Sequence, residues 1–152
     1  MTRPLLLCLL LLAGCADGAA IDVPSDSPAC SEDPFEDNDA RNTAWDFETA
    51  DTIATDPVLC AGESDWYRFA PGADELATVV VGFDGTPDAS IRVFDGAGDL
   101  LEEPTDAGGV FLVQVTGVDC GGSGVVFVQV ESGGAEEQPY VLDIDLLDYC
   151  AD

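Results

Sequence analysis

The chain has no histidine and no lysine, and its four cations, all arginines, stand against 31 acidic residues. Each shortage excludes a class of function. Without histidine or lysine the common general bases are missing, and nothing can activate a serine or cysteine in the Ser-His or Cys-His manner. Hydrolysis by a pair of carboxylates is the acid–base route the composition leaves open. No sequence feature marks a cleft for it, so the expectation is a non-enzyme. A formal net charge of −27 excludes nucleic acid and anionic lipid surfaces as partners. Cations and basic surfaces are what such a chain attracts, and the same charge also suits a solvated exterior in a salty setting. No stretch carries the 3.6-residue period of an amphipathic helix, which argues against a helical fold. With 47% hydrophobic residues, the chain is nevertheless not a disordered acidic tail.

Long apolar runs are scarce as well. Leu5 to Leu12, preceded by Arg3 and interrupted by Cys8, is too short to span a bilayer and reads as the core of a signal peptide over residues 1–14. Leu12-Ala13-Gly14-Cys15 closes that run and resembles a bacterial lipobox, which makes Cys15 the expected lipidated first residue of the mature chain. Ala16, rather than an aspartate, follows it; by resemblance to the enterobacterial sorting pattern this implies the outer membrane. Acylation of Cys15 would anchor the protein to the membrane stably without a transmembrane helix.

Cleavage leaves Arg41, Arg68 and Arg92 as the basic residues. Residues 15–33 are rich in Gly, Ser, Pro and Asp and read as an acidic tether. Residues 34–152 are long enough for one domain with its own core. That domain opens with Pro34-Phe35-Glu36-Asp37-Asn38-Asp39-Ala40, where Asn and Asp suit turns because their side chains bond back to nearby amides. Ala44 to Ile53 is compatible with a helical turn or a first strand.

From Leu59 onward short strands are expected near 64–70, 76–83, 89–95, 110–116, 124–131 and 139–147. The organising stretch is Gly62-Glu63-Ser64-Asp65-Trp66-Tyr67-Arg68-Phe69. Tyr67 and Phe69 share one face of a strand there, Trp66 and Arg68 the other. Val79, Val80, Val81 and Phe83 form a buried run, and Ile91 and Val93 alternate with Ser90 and Arg92. Val113 and Val115, then Val126, Val128 and Val130, repeat the alternation. Turn residues separate them: Pro71-Gly72, Asp84-Gly85, Asp95-Gly96-Ala97-Gly98, Gly108-Gly109, Gly121-Gly122-Ser123-Gly124 and Gly133-Gly134. Short strands with glycine turns at this spacing predict an all-β domain, a single antiparallel β-sandwich or jelly roll.

Four cysteines remain after lipidation, Cys30, Cys60, Cys120 and Cys150. In an exported chain they imply two disulfides, with three possible connectivities. If strands 110–116, 124–131 and 139–147 form a meander, Cys120 and Cys150 emerge at the same end. That favours Cys120–Cys150 and leaves Cys30–Cys60. Each closed loop would contribute about 3–4 kcal/mol in the chain-entropy account.

Several segments, in order, resemble the bacterial pre-peptidase C-terminal domain, a β-sandwich appended to secreted peptidases. Glu36-Asp37-Asn38-Asp39 resembles the family's opening Glu-Pro-Asn-Asp, and Glu63-Ser64-Asp65-Trp66-Tyr67-Arg68-Phe69 its Asp-x-Asp-Trp/Tyr-Tyr-x-Phe strand. Ile91-Arg92-Val93-Phe94-Asp95-Gly96-Ala97-Gly98 resembles its Leu-x-Leu-Tyr-Asp-x-x-Gly hairpin. Gly124 to Val130 and Tyr140-Val141-Leu142 resemble its closing strands. Asp37 departs from the usual proline and Glu63 from the first aspartate, and the expectation is a domain standing alone behind a lipid anchor rather than following a peptidase. The resemblance therefore implies a fold and a secreted, non-catalytic module.

The resemblance also implies a metal site, because some members bind calcium between the opening acidic segment and the strand entrance. Carried over residue by residue, the ligands would be Glu36, Asn38, Asp39 and Asp65, with Glu63 beside them. Calcium takes six to eight oxygens, which carboxylates and an amide carbonyl supply. Trp66, Tyr67 and Tyr140 are candidates for a ligand-stacking surface, although Tyr67 and Phe69 fit a core better. Asp95-Gly96-Ala97-Gly98-Asp99 lacks the glycine pattern of a dinucleotide loop and reads as a hairpin turn. The expectation is thus a lipid-anchored cell-envelope module that binds a protein or polysaccharide, with calcium. The alternatives are a structural envelope lipoprotein without a ligand and an accessory subunit of a secreted peptidase.

Overall fold

In a computed structural model the protein is described over residues 33–47, 52–72, 75–115 and 124–148. Among the described residues, ten strands follow one 3-10 turn at Arg41–Thr43. In chain order they are β1 (Trp45–Asp46), β2 (Thr52–Leu59), β3 (Ser64–Phe69), β4 (Glu75–Phe83) and β5 (Ala89–Phe94), then β6 (Leu100–Glu102), β7 (Thr105–Asp106), β8 (Val110–Val115), β9 (Val126–Ser132) and β10 (Gln138–Asp148). They form two five-stranded sheets, ordered β1-β3-β9-β5-β6 and β2-β10-β4-β8-β7. All pairings are antiparallel except β1 with β3. The all-β sandwich expected from the glycine-punctuated strands is what forms.

Side-chain alternation builds the core. Tyr67 and Phe69 of β3, Val79 and Val81 of β4, and Val128 and Val130 of β9 are all buried. Phe111, Val113 and Val115 of β8 and Tyr140, Leu142 and Ile144 of β10 join them in a single cluster. Each fully buried side chain of this size contributes roughly 1.5–3 kcal/mol.

The six expected strands lie within a residue or two of where periodicity put them. Between Ala44 and Ile53 the outcome is strand, since β1 lies there and β2 begins at Thr52. Strands β6 and β7 went unforeseen because edge strands of only two or three residues are too short to carry a readable period.

The meander is a correction. β8 and β10 lie in one sheet, on either side of β4, while β9 lies in the other sheet between β3 and β5. The chain therefore crosses between sheets from β8 to β9 and again from β9 to β10, with Val113, Val128 and Leu142 sharing one interior. Alternation shows which side chains point inward, not which sheet a strand joins.

The exposed edge of β2 is blunted. Pro57 has no N–H, and Asp56 adopts φ 82 opposite the register shift in β10 between Pro139 and Val141. The Val58 N–H donates to the Asp33 carboxylate at 2.6 Å, and that carboxylate also accepts from the Phe35 N–H at 2.7 Å. A bulge, a proline and a charge are the devices that discourage strand addition at an edge. In the β7–β8 turn, Gly109 has φ 96, and a Cβ there would strike the Gly85 carbonyl.

Candidate functional site

Asp65 is the second residue of β3, and the alternation that buries Tyr67 and Phe69 carries it inward too. It is 1% exposed. Its carboxylate accepts a hydrogen bond from the Tyr140 hydroxyl at 2.6 Å, and the Tyr140 and Tyr67 hydroxyls are themselves 2.6 Å apart. A phenol has one proton, so Tyr140, donating to Asp65, must accept from Tyr67. The result is a directed chain, Tyr67 to Tyr140 to Asp65, running from one sheet to the other and back.

The opening acidic segment lies across the entrance to β3. The Asn38 carbonyl accepts from the Trp66 N–H at 2.8 Å, and the Phe47 N–H donates to the Arg68 carbonyl at 3.0 Å. Phe35 meets Trp45 and Tyr67 edge-on, with ring centroids 5.4 and 6.0 Å apart, and Phe47 stacks on Tyr67 at 5.6 Å. Arg41 fixes the far end. Its guanidinium donates to the Asp95 and Gly96 carbonyls at 2.8 and 3.0 Å and lies over the Phe127 ring, 4.3 Å from the centroid.

These anchors bring Glu36 and Asp39 to Asp65. One carboxylate oxygen from each of the three lies within 4.8 Å of the others. The cost shows in their acidities. Asp65 is pushed up to about 7, mainly by burial, with Asp33, Glu36 and Asp39 adding repulsion that the Tyr140 bond only partly offsets. Glu36 rises to about 6, through burial first and then the charges of Asp39, Asp33, Glu63 and Asp37. Asn38, between Glu36 and Asp39 in sequence, is 1% exposed; neither polar atom of its amide has a partner in good hydrogen-bond geometry, although the amide approaches the Tyr67 hydroxyl closely enough to favour its ionised form.

Of the five candidate ligands, the structure therefore gathers the carboxylates of a half-buried Glu36, an exposed Asp39 and a buried Asp65, and buries Asn38 in the same opening segment. Glu63 sits in the exposed turn before β3, outside the trio. Its backbone closes that turn through Glu63 N–H to the Cys60 carbonyl at 3.2 Å. The proposed stacking surface of Trp66, Tyr67 and Tyr140 is a correction. Tyr67 and Tyr140 are buried in the interior, while Trp66 faces outward and stacks on Phe94 with centroids 5.6 Å apart. The expected hairpin turn is present: the Asp95 carboxylate accepts the N–H groups of Ala97, Gly98 and Asp99 at 2.8–2.9 Å, bonds that hold its acidity below the usual range.

Two participants were missed. Period two in β3 already places residue 65 with 67 and 69, so its burial was readable. The roles of the Tyr140 hydroxyl and of Asp33 were not, because each meets its partner from another sheet or from beyond the expected domain boundary. Cys15, Cys30, Cys120 and Cys150 lie outside the described residues, as do residues 1–14.

No family model matches the chain, and no curated protein matches it. Among solved structures it is similar to the pre-peptidase C-terminal domain of collagenase from Bacillus anthracis, at 13% identity and a TM-score of 0.56. The match covers 67% of this chain and 94% of that one. The likeness is one of fold. The sandwich is pre-peptidase C-terminal-like, as the order of the sequence segments implied.

Proposed function

We propose that the protein is a non-catalytic lipoprotein of the bacterial cell envelope, anchored to the outer membrane through Cys15, that displays its sandwich as a binding module for a protein or polysaccharide. Calcium holds its opening segment against β3. The observation that carries the metal reading is the gathering of three carboxylates, Glu36, Asp39 and Asp65, within 4.8 Å of one another, with the buried Asn38 in the same opening segment and its amide lacking a partner in good hydrogen-bond geometry. A buried amide left unpaired costs about 1–3 kcal/mol, and three adjacent acids repel. A cation held by the carboxylates of Glu36, Asp39 and Asp65 and the Asn38 oxygen offsets both costs, and oxygen donors of this kind suit calcium. Asp65, tied through Tyr140 to both sheets, would transmit that stabilisation to the core. Lack of histidine and lysine supports the non-catalytic reading.

The cysteine pairing belongs to this reading. β8 and β10 both run antiparallel to β4, with Val115 opposite Ala77 and Asp148 opposite Glu75. The segments that carry Cys120 and Cys150 thus leave from the same end of one sheet, which supports their pairing on grounds other than a meander. The Asp33–Val58 bond brings the chain just after Cys30 to the end of β2, next to Cys60, supporting Cys30–Cys60.

The test is thermal melting in about 1 mM calcium, the range of extracellular modules, against chelator. An upward shift is expected, and its absence overturns the metal reading. Mass spectrometry of the mature N-terminus checks acylation of Cys15, and an unacylated cysteine there removes the anchor. A structural lipoprotein without a ligand is the outcome if glycan and matrix-protein arrays stay silent both with and without calcium.

A further inference from the structure

We infer that the end of the sandwich around Phe83 and Pro139 is a docking cleft for a short extended segment of a protein partner in which basic and apolar side chains alternate. This rests on the reading of the chain as a binding module and names the chemistry of its protein ligand.

Two hollows adjoin there. One of about 490 Å³ lies between the β4–β5 and β9–β10 turns, with Phe83, Pro87 and Pro139 in its wall. The other, about 460 Å³, takes in Gly82 and Val141 of sheet β2-β10-β4-β8-β7 and shares Phe83, Asp84 and Pro139 with the first. Gly82 makes the second hollow. It sits between Val141 and Val110 on neighbouring strands, which are 43% and 42% exposed, and a Cβ added at Gly82 would meet nothing within 4 Å. A missing side chain between two exposed valines leaves a trough that an incoming apolar side chain can fill.

Charge decides what the rest of the segment is. The walls include Asp56, Asp84, Asp88 and Glu136 and contain no basic side chain. Among the described residues, the arginines Arg41, Arg68 and Arg92 lie with the opposite sheet. Arg68 pairs with Asp46, Arg92 with Glu131, and Arg41 covers Phe127. Among the described residues these arginines leave Asp56, Asp84, Asp88 and Glu136 without a neighbouring counter-charge. Such a surface steers and registers a cationic partner and repels an anionic one. A neutral glycan would leave these carboxylates without a counter-charge.

The trough is also pre-formed. The Asp88 N–H donates to the Gln138 side-chain oxygen at 3.0 Å, and the Gln138 amide donates to the Asp88 carbonyl at 3.3 Å. The Gly133 N–H donates to that same carbonyl at 2.7 Å. These bonds tie the two turns together before any ligand arrives, which lowers the ordering cost of binding.

The experiment titrates the full-length protein into a dye-labelled pentapeptide alternating arginine and leucine, read by fluorescence anisotropy in calcium and in chelator. A glutamate–leucine peptide and an arginine–glycine peptide are controls. Binding of the arginine–leucine peptide alone is expected, weakening with salt. The double variant D84N/E136Q and the hollow-filling variant Gly82→Leu should each weaken it by roughly fivefold or more, while Arg68→Gln on the opposite sheet leaves it unchanged. The added leucine meets open space, so that variant tests the site without disturbing the core. Three results overturn the inference: no binding, equal binding by Gly82→Leu and wild type, or equal binding of the arginine–glycine peptide. The last two would reveal diffuse attraction to an acidic surface. Loss of peptide binding on adding calcium alone would make the rim an ion site instead. The calcium melting shift is read in the same samples. If that shift persists while the peptide fails, this inference falls and the metal reading stands.

Discussion

The Tyr140 hydroxyl, on one sheet, donates to the Asp65 carboxylate, on the other, at 2.6 Å. This single bond links the core of the sandwich to the acidic entrance of β3. It ties the protonation of the entrance to the whole fold.

Replacing Asp65 by asparagine keeps an oxygen for Tyr140 to donate to and removes a buried charge. Without metal at pH 8, Asp65→Asn is expected to be more stable than wild type by about 1–3 kcal/mol. The same variant should lose most of the melting shift produced by calcium. Opposite changes in chelator and in calcium, measured by denaturant unfolding, check this; destabilisation in both would show that Asp65 serves packing alone.

The metal-free protein should become more stable as pH falls from about 8 towards 5. The folded acidities of Asp65 and Glu36, about 7 and about 6, lie above their ordinary values of 3.8 and 4.5, so the folded state binds protons more tightly than the unfolded chain. Stability is therefore gained as pH drops through the folded values and is complete only below the unfolded ones. In calcium the effect of pH should flatten or reverse, because protons and cation compete for the same oxygens. Melting temperature against pH, with Asp65→Asn as the control for general acidic repulsion, reads both arms.

Tyr140→Phe removes the middle hydroxyl of the chain. The Tyr67 hydroxyl and the Asp65 carboxylate, both buried, then lose their hydrogen bonds to Tyr140. A loss of about 1–3 kcal/mol is expected, larger at pH 8, where Asp65 is ionised, than at pH 5. Urea midpoints at the two pH values test it, and a loss independent of pH would contradict the directed chain.

Arg41→Lys should not rescue Arg41→Ala. The guanidinium reaches the Asp95 and Gly96 carbonyls while lying flat on Phe127, a geometry a point-charge ammonium cannot reproduce. Both variants should lose about 1–2 kcal/mol and loosen the segment that carries Glu36 and Asp39. Amide exchange of residues 36–43 reports the loosening directly.

By itself the sequence determined the class of the fold and most of its strands, because alternation and glycine turns are local signals. Val79, Val113 and Val128 could be assigned to an interior from their neighbours alone. The family-like segments likewise pointed to Glu36, Asn38, Asp39 and Asp65. Tertiary structure alone decided which sheet each strand joins, and so replaced a three-strand meander with crossings between sheets. It also separated Glu63 from the carboxylate trio and brought Asp33 onto β2. The Tyr67–Tyr140–Asp65 chain and the trough at Gly82 arise where strands distant in sequence come together. No local pattern records those contacts, because they depend on which sheets face each other.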